Sequence, residues 1–213
     1  MSLRSCISYA SLWLIPLFSI FLPIISNAAD PSATETKTPE PLAIGAKAPE
    51  IKAMDQNGKE VDFTEFYKKG YTLVYFYPKA GTEGCTAQAC SLRDGYAKLT
   101  EKGIQVIGVS TDKAAAQKSF HEKNSLPFTL ISDPERKVIN AFGVPLGQKK
   151  PVALRQTFLI KNGAVIWRDL KPSPKNQAED VLKALEIMTG PMNDLPPAAI
   201  SNSPPQSTQG ITK

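Results

Sequence analysis

The seven residues 71–77, YTLVYFY, constrain the fold more than any other segment of the chain. Aromatic and β-branched side chains follow one another without the alternation of a half-exposed strand, so the run predicts a central strand covered on both faces. It ends abruptly at Pro78. Such a strand needs other elements above and below it, and the flanking sequence supplies them. In EIKAMDQNGKEVDF, Asn57-Gly58 lies between two short strand-like runs and predicts a hairpin. A helical pattern over residues 85–102 follows the central strand, then the strand IQVIGVS from Ile104, a helix over 113–123 and a short strand, FTLI. Asp133 reads as an N-cap with Pro134 at the first helical position of PERKVINAFG. ALRQTFLI and AVIWRDL flank Asn162-Gly163 as a second hairpin, and QAEDVLKALEIM gives a last amphipathic helix. This order is that of an α/β, thioredoxin-like fold over residues 44–190, a central mixed sheet flanked by helices.

The two ends differ in composition. Arg4 precedes the apolar run LWLIPLFSIFLPII, which closes on SNAA, with small residues at Ser26 and Ala28. That is the pattern of a secretory signal peptide. The run is short for a bilayer span and holds Pro16 and Pro23, which favours cleavage after Ala28 over a retained anchor. The expected location is therefore exported, in the periplasm, with the membrane met only during export. Residues 29–43 and 191–213 are rich in Pro, Thr, Ser, Asn and Gln and are expected to be disordered. The net charge of +5 arises from 25 basic and 20 acidic residues that are interleaved, with no basic block, which argues against a nucleic-acid partner.

A domain of this length buries a core without disulfide staples. Loss of residues 1–28 removes Cys6 and leaves two of the three cysteines, Cys85 and Cys90, both in PKAGTEGCTAQAC. Functional groups of α/β sheets gather at the carboxyl ends of strands, and the loop after the central strand delivers Cys85 to the first turn of a helix. The free N–H groups and partial positive charge of a helix N-terminus favour thiolate, the nucleophilic form of sulfur. Gly81, Thr82, Glu83 and Gly84 form a loop suited to backbone exposure rather than core packing. An exported protein can also keep a purely structural bridge, so that alternative stands at this point.

The string FYPKAGTEGCTAQACSLRDGY resembles the peroxiredoxin family, which spaces a proline, a threonine or serine and the reactive cysteine as Pro-x-x-x-Thr-x-x-Cys. Here these are Pro78, Thr82 and Cys85. A second cysteine five residues on, Cys90, and the LRD after it resemble the bacterioferritin comigratory protein, or peroxiredoxin Q, subgroup. IGAKAPEI, VIGVSTD, FTLISDPERKVINAFGV and RQTFLIKNGAVIW extend the resemblance in order across the domain. It implies thiol-dependent reduction of hydroperoxides without metal, haem or flavin. Cys85 would attack the O–O bond and become a sulfenic acid, Thr82 would hydrogen-bond thiolate and peroxide, and Pro78 would shield the site. The family's arginine falls on Arg155, a permanent cation beside the thiolate. Arg93 and Arg168 are weaker candidates for that place. Cys90 would resolve the sulfenic acid as an intramolecular disulfide, and a thioredoxin-like reductant protein of the same compartment would reopen it. A monomer or weak homodimer is expected.

Five residues on one continuous helix separate the two cysteines by about 7.5 Å along the axis and about 140° around it. Their Cα atoms then exceed the roughly 7 Å limit for bridging, so the helix start must unwind before the pair can join. Two positions depart from the subgroup pattern. Glu83 stands where proline is common and is expected to face solvent, and Gln88 stands where glutamate is frequent. The rival readings are an exported copper-handling protein, for which His121 is the sole histidine, and a thiol-disulfide exchanger. The first leaves Thr82 and Arg155 without a role, and the second uses Cys-x-x-Cys, a spacing absent here.

Overall fold

The computed structural model describes residues 40–190. The expectations for residues 1–28, 29–39 and 191–213 lie outside the described residues. In chain order the elements are β1 (Lys52–Asp55), β2 (Glu60–Asp62), α1 (Phe63–Tyr67), β3 (Tyr71–Phe76), α2 (Glu83–Asp94), α3 (Tyr96–Glu101) and β4 (Ile104–Ser110). They continue as α4 (Ala114–Lys123), β5 (Thr129–Ser132), α5 (Lys137–Ala141), β6 (Gln156–Lys161), β7 (Ala164–Asp169) and α6 (Gln177–Thr189). One mixed sheet has the order β2-β1-β5-β4-β3-β6-β7. Strand β3 runs parallel to β4 and antiparallel to β6, and β4 runs parallel to β5. This is the mixed α/β sheet that the sequence pattern implies.

The central position of β3 follows from its side chains, which serve two cores. Leu73, Tyr75 and the following Tyr77 pack with Cys85, Leu92, Phe120, Phe128 and Val181 on one face. Val74 and Phe76 pack with Phe63, Phe142, Phe158 and Ile139 on the other. Each of these side chains stabilises the fold by roughly 1.5–3 kcal/mol when fully buried, so a polar substitution anywhere in the strand is felt on one layer or the other. At the second hairpin, Asn162 and Gly163 both take positive φ, 51° and 74°, as a two-residue turn between right-twisted strands requires.

Four features differ from the sequence expectation. The helix expected over 85–102 is two helices, α2 and α3, joined at Gly95. A Cβ there would sit 2.6 Å from the Cβ of Ala178 on α6, so close packing of α6 demands a glycine at the junction. The helix expected from Pro134 begins at Lys137, after Arg136 with φ of 60°. Asp133 caps it from a distance, its Oδ2 accepting from Ile139 N at 2.9 Å, while burial pushes its carboxyl above the usual range. The short helix α1 was not foreseen, although Asp62 opens it by accepting from Thr64 N at 2.9 Å. Residues 40–42, assigned above to a disordered linker, are tied to the domain: Leu42 N donates to Phe142 O at 3.1 Å, and Arg168 Nη1 donates to the oxygens of Pro41 and Leu42, both at 2.8 Å.

Alanine has the better helix propensity, yet Gly95→Ala is expected to lower stability by about 1–3 kcal/mol through the clash with Ala178. A denaturant midpoint equal to or above that of the parent would show that α6 can step back.

Candidate active site

Strand β3 ends beside the parallel strand β4, and the loop of residues 77–82 crosses the top of both. Tyr77 N donates to Val109 O at 3.1 Å, which carries the ladder one residue past the strand, and the half-buried Pro78 then turns the chain away. The backbone of Thr82 caps α2, and Thr86 N bonds to Thr82 O at 2.8 Å. Cys85 thus lies in the first turn of the helix, as the sequence implies, and it is 1% exposed. Glu83 is exposed and faces away from the sulfur's core environment, where a carboxylate in the first turn complements the helix dipole.

Arg155 immediately precedes β6 and reaches the site from the other side of β3. Its Nη2 lies 3.4 Å from Cys85 Sγ, and its Nη1 donates to Gln88 Oε1. Gln88 Nε2 in turn donates to Gln177 Oε1 at 2.7 Å, and Thr157 Oγ1 donates to the same oxygen at 3.0 Å. Gln88, Gln177 and Thr157 are fully buried. Every partner in this chain of bonds is neutral, so no carboxylate in it competes with the sulfur for the guanidinium charge. Gly84 allows the close approach, since a Cβ there would stand 3.3 Å from Arg155 Nη2.

The other sequence candidates fall elsewhere. Arg168 holds the residues that precede β1, as described above, and Arg93 is bound to Asp94 and to Asn124 O. The Thr82 hydroxyl donates to Lys79 O at 3.0 Å, a loop contact rather than the thiolate contact expected for it, and the residue is exposed. Cys90 is half-buried on the same uninterrupted helix as Cys85, and both thiols are free. His121 lies in the last turn of α4, half-buried rather than solvated, and among the described residues it joins no group of three or more metal-ligating side chains.

A family model, the AhpC/TSA family, matches residues 44–168. The chain belongs to this family. A relative named putative peroxiredoxin Q, chloroplastic, from Oryza sativa subsp. indica is 38% identical over 175 residues, covering 74% of this chain and 80% of that one. Peroxiredoxin Bcp of Escherichia coli K12 is 48% identical over 104 residues, 49% of this chain and 66% of the relative. Among solved structures, peroxidoxin BcpB of Mycobacterium tuberculosis aligns with a TM-score of 0.64 at 28% identity, covering 68% of this chain and 97% of that one. The chain is accordingly a thiol-dependent peroxidase of the peroxiredoxin Q and Bcp branch, acting on hydroperoxides with a thioredoxin-type reductant.

Sequence reasoning missed the polar residues that hold this peroxiredoxin loop in place. Asp112 Oδ2 accepts from Ala80 N at 2.7 Å, in the middle of the loop between Pro78 and Thr82. The same oxygen accepts from Ser110 Oγ at 2.8 Å, and Ser110 Oγ accepts from Gln117 Nε2 at 2.9 Å. Gln117 also accepts from the Tyr77 hydroxyl, so a buried polar chain links the strand end to the loop. The run VSTD placed Asp112 at the carboxyl end of a strand, the one signal available; Gln177 had none, because it reads as an ordinary polar residue at a helix start. Asp112→Ala should lower the second-order rate with hydrogen peroxide about tenfold and speed amide exchange over residues 79–82 while the fold persists. An unaltered rate would remove Asp112 from the support of the site.

Proposed function

We propose that Cys85 is the thiol that reduces the peroxide and that Cys90 resolves it through an intramolecular disulfide, with Arg155, Thr82 and Pro78 forming the rest of the site. The observation that carries this reading is the 3.4 Å contact of Arg155 with the sulfur of a buried cysteine in the first turn of a twelve-residue helix. The thiolate attacks one peroxide oxygen; an S–O bond forms as the O–O bond breaks, and the departing oxygen takes a proton. Cys85 is left as a sulfenic acid. Arg155 faces both the anion before attack and the charge that develops on the oxygens, and it is already in place before the reaction begins. Thr82, whose hydroxyl donates to Lys79 O, offers its oxygen as an acceptor at the mouth of the site, and Pro78 walls the loop.

Resolution requires a second shape of the protein. Cys85 looks toward Arg155, whereas Cys90, about 140° further round α2, looks toward Asn124 at the end of α4. The bridge therefore forms once the first turns of α2 unwind. The residues between the cysteines, Thr86, Ala87, Gln88 and Ala89, include no large apolar side chain, which keeps the local opening inexpensive. The signal-like segment 1–28 supports export to the periplasm, where the thioredoxin-like donor would also have to reside. Resolution within one chain needs no second subunit, in keeping with a monomer or weak homodimer.

Three variants test the assignment. Cys85→Ser is expected to abolish peroxide consumption, and Cys90→Ser to complete one turnover and then stall at sulfenic acid or over-oxidise, as mass spectrometry would read. Arg155→Ala should slow the peroxide reaction by about 10²–10³ with the fold intact. A Cys90→Ser protein that cycles with a thioredoxin-type donor at the parent rate excludes the intramolecular bridge. Equal hydrogen-exchange protection of residues 84–93 in reduced and oxidised protein excludes the unwinding.

A further inference from the structure

Cys90 has surroundings of its own that peroxide reduction leaves unused. Its sulfur lies 3.9 Å from Asn124 Oδ1, and Asn124 is the C-cap of α4. Asn124 Nδ2 donates to Phe120 O at 2.8 Å, which turns the amide so that its oxygen is the atom offered to the thiol. Three residues beyond Cys90 on the same helix face, Arg93 donates from Nη1 to the main-chain oxygen of Asn124 at 2.9 Å. Its Nε and Nη2 both reach Asp94 Oδ1 at 2.8 Å. The guanidinium is thereby held still even though the side chain is 34% exposed. The hydrogen bond to Asp94 does most to hold the Arg93 charge in its protonated form, and the Cys90 sulfur adds to it.

We propose that Arg93 is a positioning residue for the resolving step: with Asn124 it keeps Cys90 at the end of α4 and sets a cation against its sulfur while the first turns of α2 open. This rests on the reading of Cys85 and Cys90 as a disulfide pair. The attacking species in disulfide formation is a thiolate. As the Cys90 sulfur attacks the Cys85 sulfur, the S–S bond forms and the S–O bond of the sulfenic acid breaks. The hydroxide that leaves takes up a proton, equivalent to the one Cys90 gave up, and departs as water. The peroxide has already supplied the two oxidising equivalents. The two sulfurs thus have separate arginines. Arg155 is carried on the β6 side and is left behind when Cys85 moves, whereas Arg93 travels with Cys90 on the part of α2 that stays folded.

That part of the helix is anchored independently of its start. Ala178 N donates to Ser91 Oγ at 3.2 Å, Leu92 is fully buried, and Gly95 lies against Ala178. The charged and titratable groups that act on the Cys90 sulfur are Arg93 from α2 and the Tyr75 phenol from β3, while His121 and Lys123 lie in the last turn of α4, which ends at Asn124. Burial pushes Tyr75 well above its ordinary value, so its phenol stays neutral.

The test is single-turnover stopped-flow fluorescence of Arg93→Gln and Arg93→Lys, which separates a phase that scales with peroxide from a later phase that does not. In Arg93→Gln the peroxide-dependent phase is expected to keep its rate. The later, resolving phase should slow by about three- to tenfold near pH 7 and recover toward about pH 9, where cation assistance matters less. Arg93→Lys should fall between the two, since it retains charge but loses the planar fork. A resolving phase at the parent rate, or one slowed by the same factor at every pH, overturns the assignment. If parent protein shows no peroxide-independent phase and no Cys85–Cys90 bridge by non-reducing peptide mapping, the disulfide reading fails and takes this proposal with it.

Discussion

The arrangement of this protein turns on one contact, between a guanidinium and a sulfur 70 residues apart in the chain. A partly buried arginine needs an anionic or polar partner, and the fold offers Arg155 only neutral amides and a thiol. Its position is set by Gln88, whose orientation is set by Gln177, which is itself held by Thr157 on β6. Three elements of the molecule, α2, β6 and α6, are therefore committed to placing one charge. Glutamine at position 88 matters here because it orients the arginine without neutralising it.

The strand β3 makes this contact possible. Because its side chains are buried alternately in two layers, it cannot slip by one residue without sending Tyr75 and Phe76 into the wrong cores. The loop that follows is held from a second direction by the Asp112 carboxylate on Ala80 N. A rigid strand end and a clamped loop present the helix start at a fixed height above the sheet, opposite the start of β6.

The architecture was legible in the sequence wherever hydrophobic pattern or turn chemistry carried it: the double-faced run at 71–77, the Asn-Gly hairpins and the amphipathic last helix. The places it failed were set by particular side-chain contacts that periodicity does not encode, some near in the chain and some distant. The break at Gly95 depends on Ala178, and the late start of α5 depends on Asp133 reaching six residues ahead to Ile139. At the site, Cys85 could be named from its place at a helix start, and Arg155 from the resemblance to the peroxiredoxin family. The amides of Gln88 and Gln177 could not, since a buried glutamine looks like any other until its partner is known. The hydroxyl of Thr82 was assigned to the sulfur and is found on Lys79.

The place of Gln177 in the chain has a consequence for the order in which the molecule matures. It is the first residue of α6, the last helix among the described residues, and it completes the bonds that brace Arg155. A chain emerging from the ribosome, or crossing a membrane amino end first, exposes Cys85 long before Gln177 is available to it. Until α6 docks, the Gln88 amide lacks its bond to Gln177, and with it the brace that steadies Arg155. The bracing of Arg155 beside Cys85 is therefore complete only once the segment that forms α6 has been made.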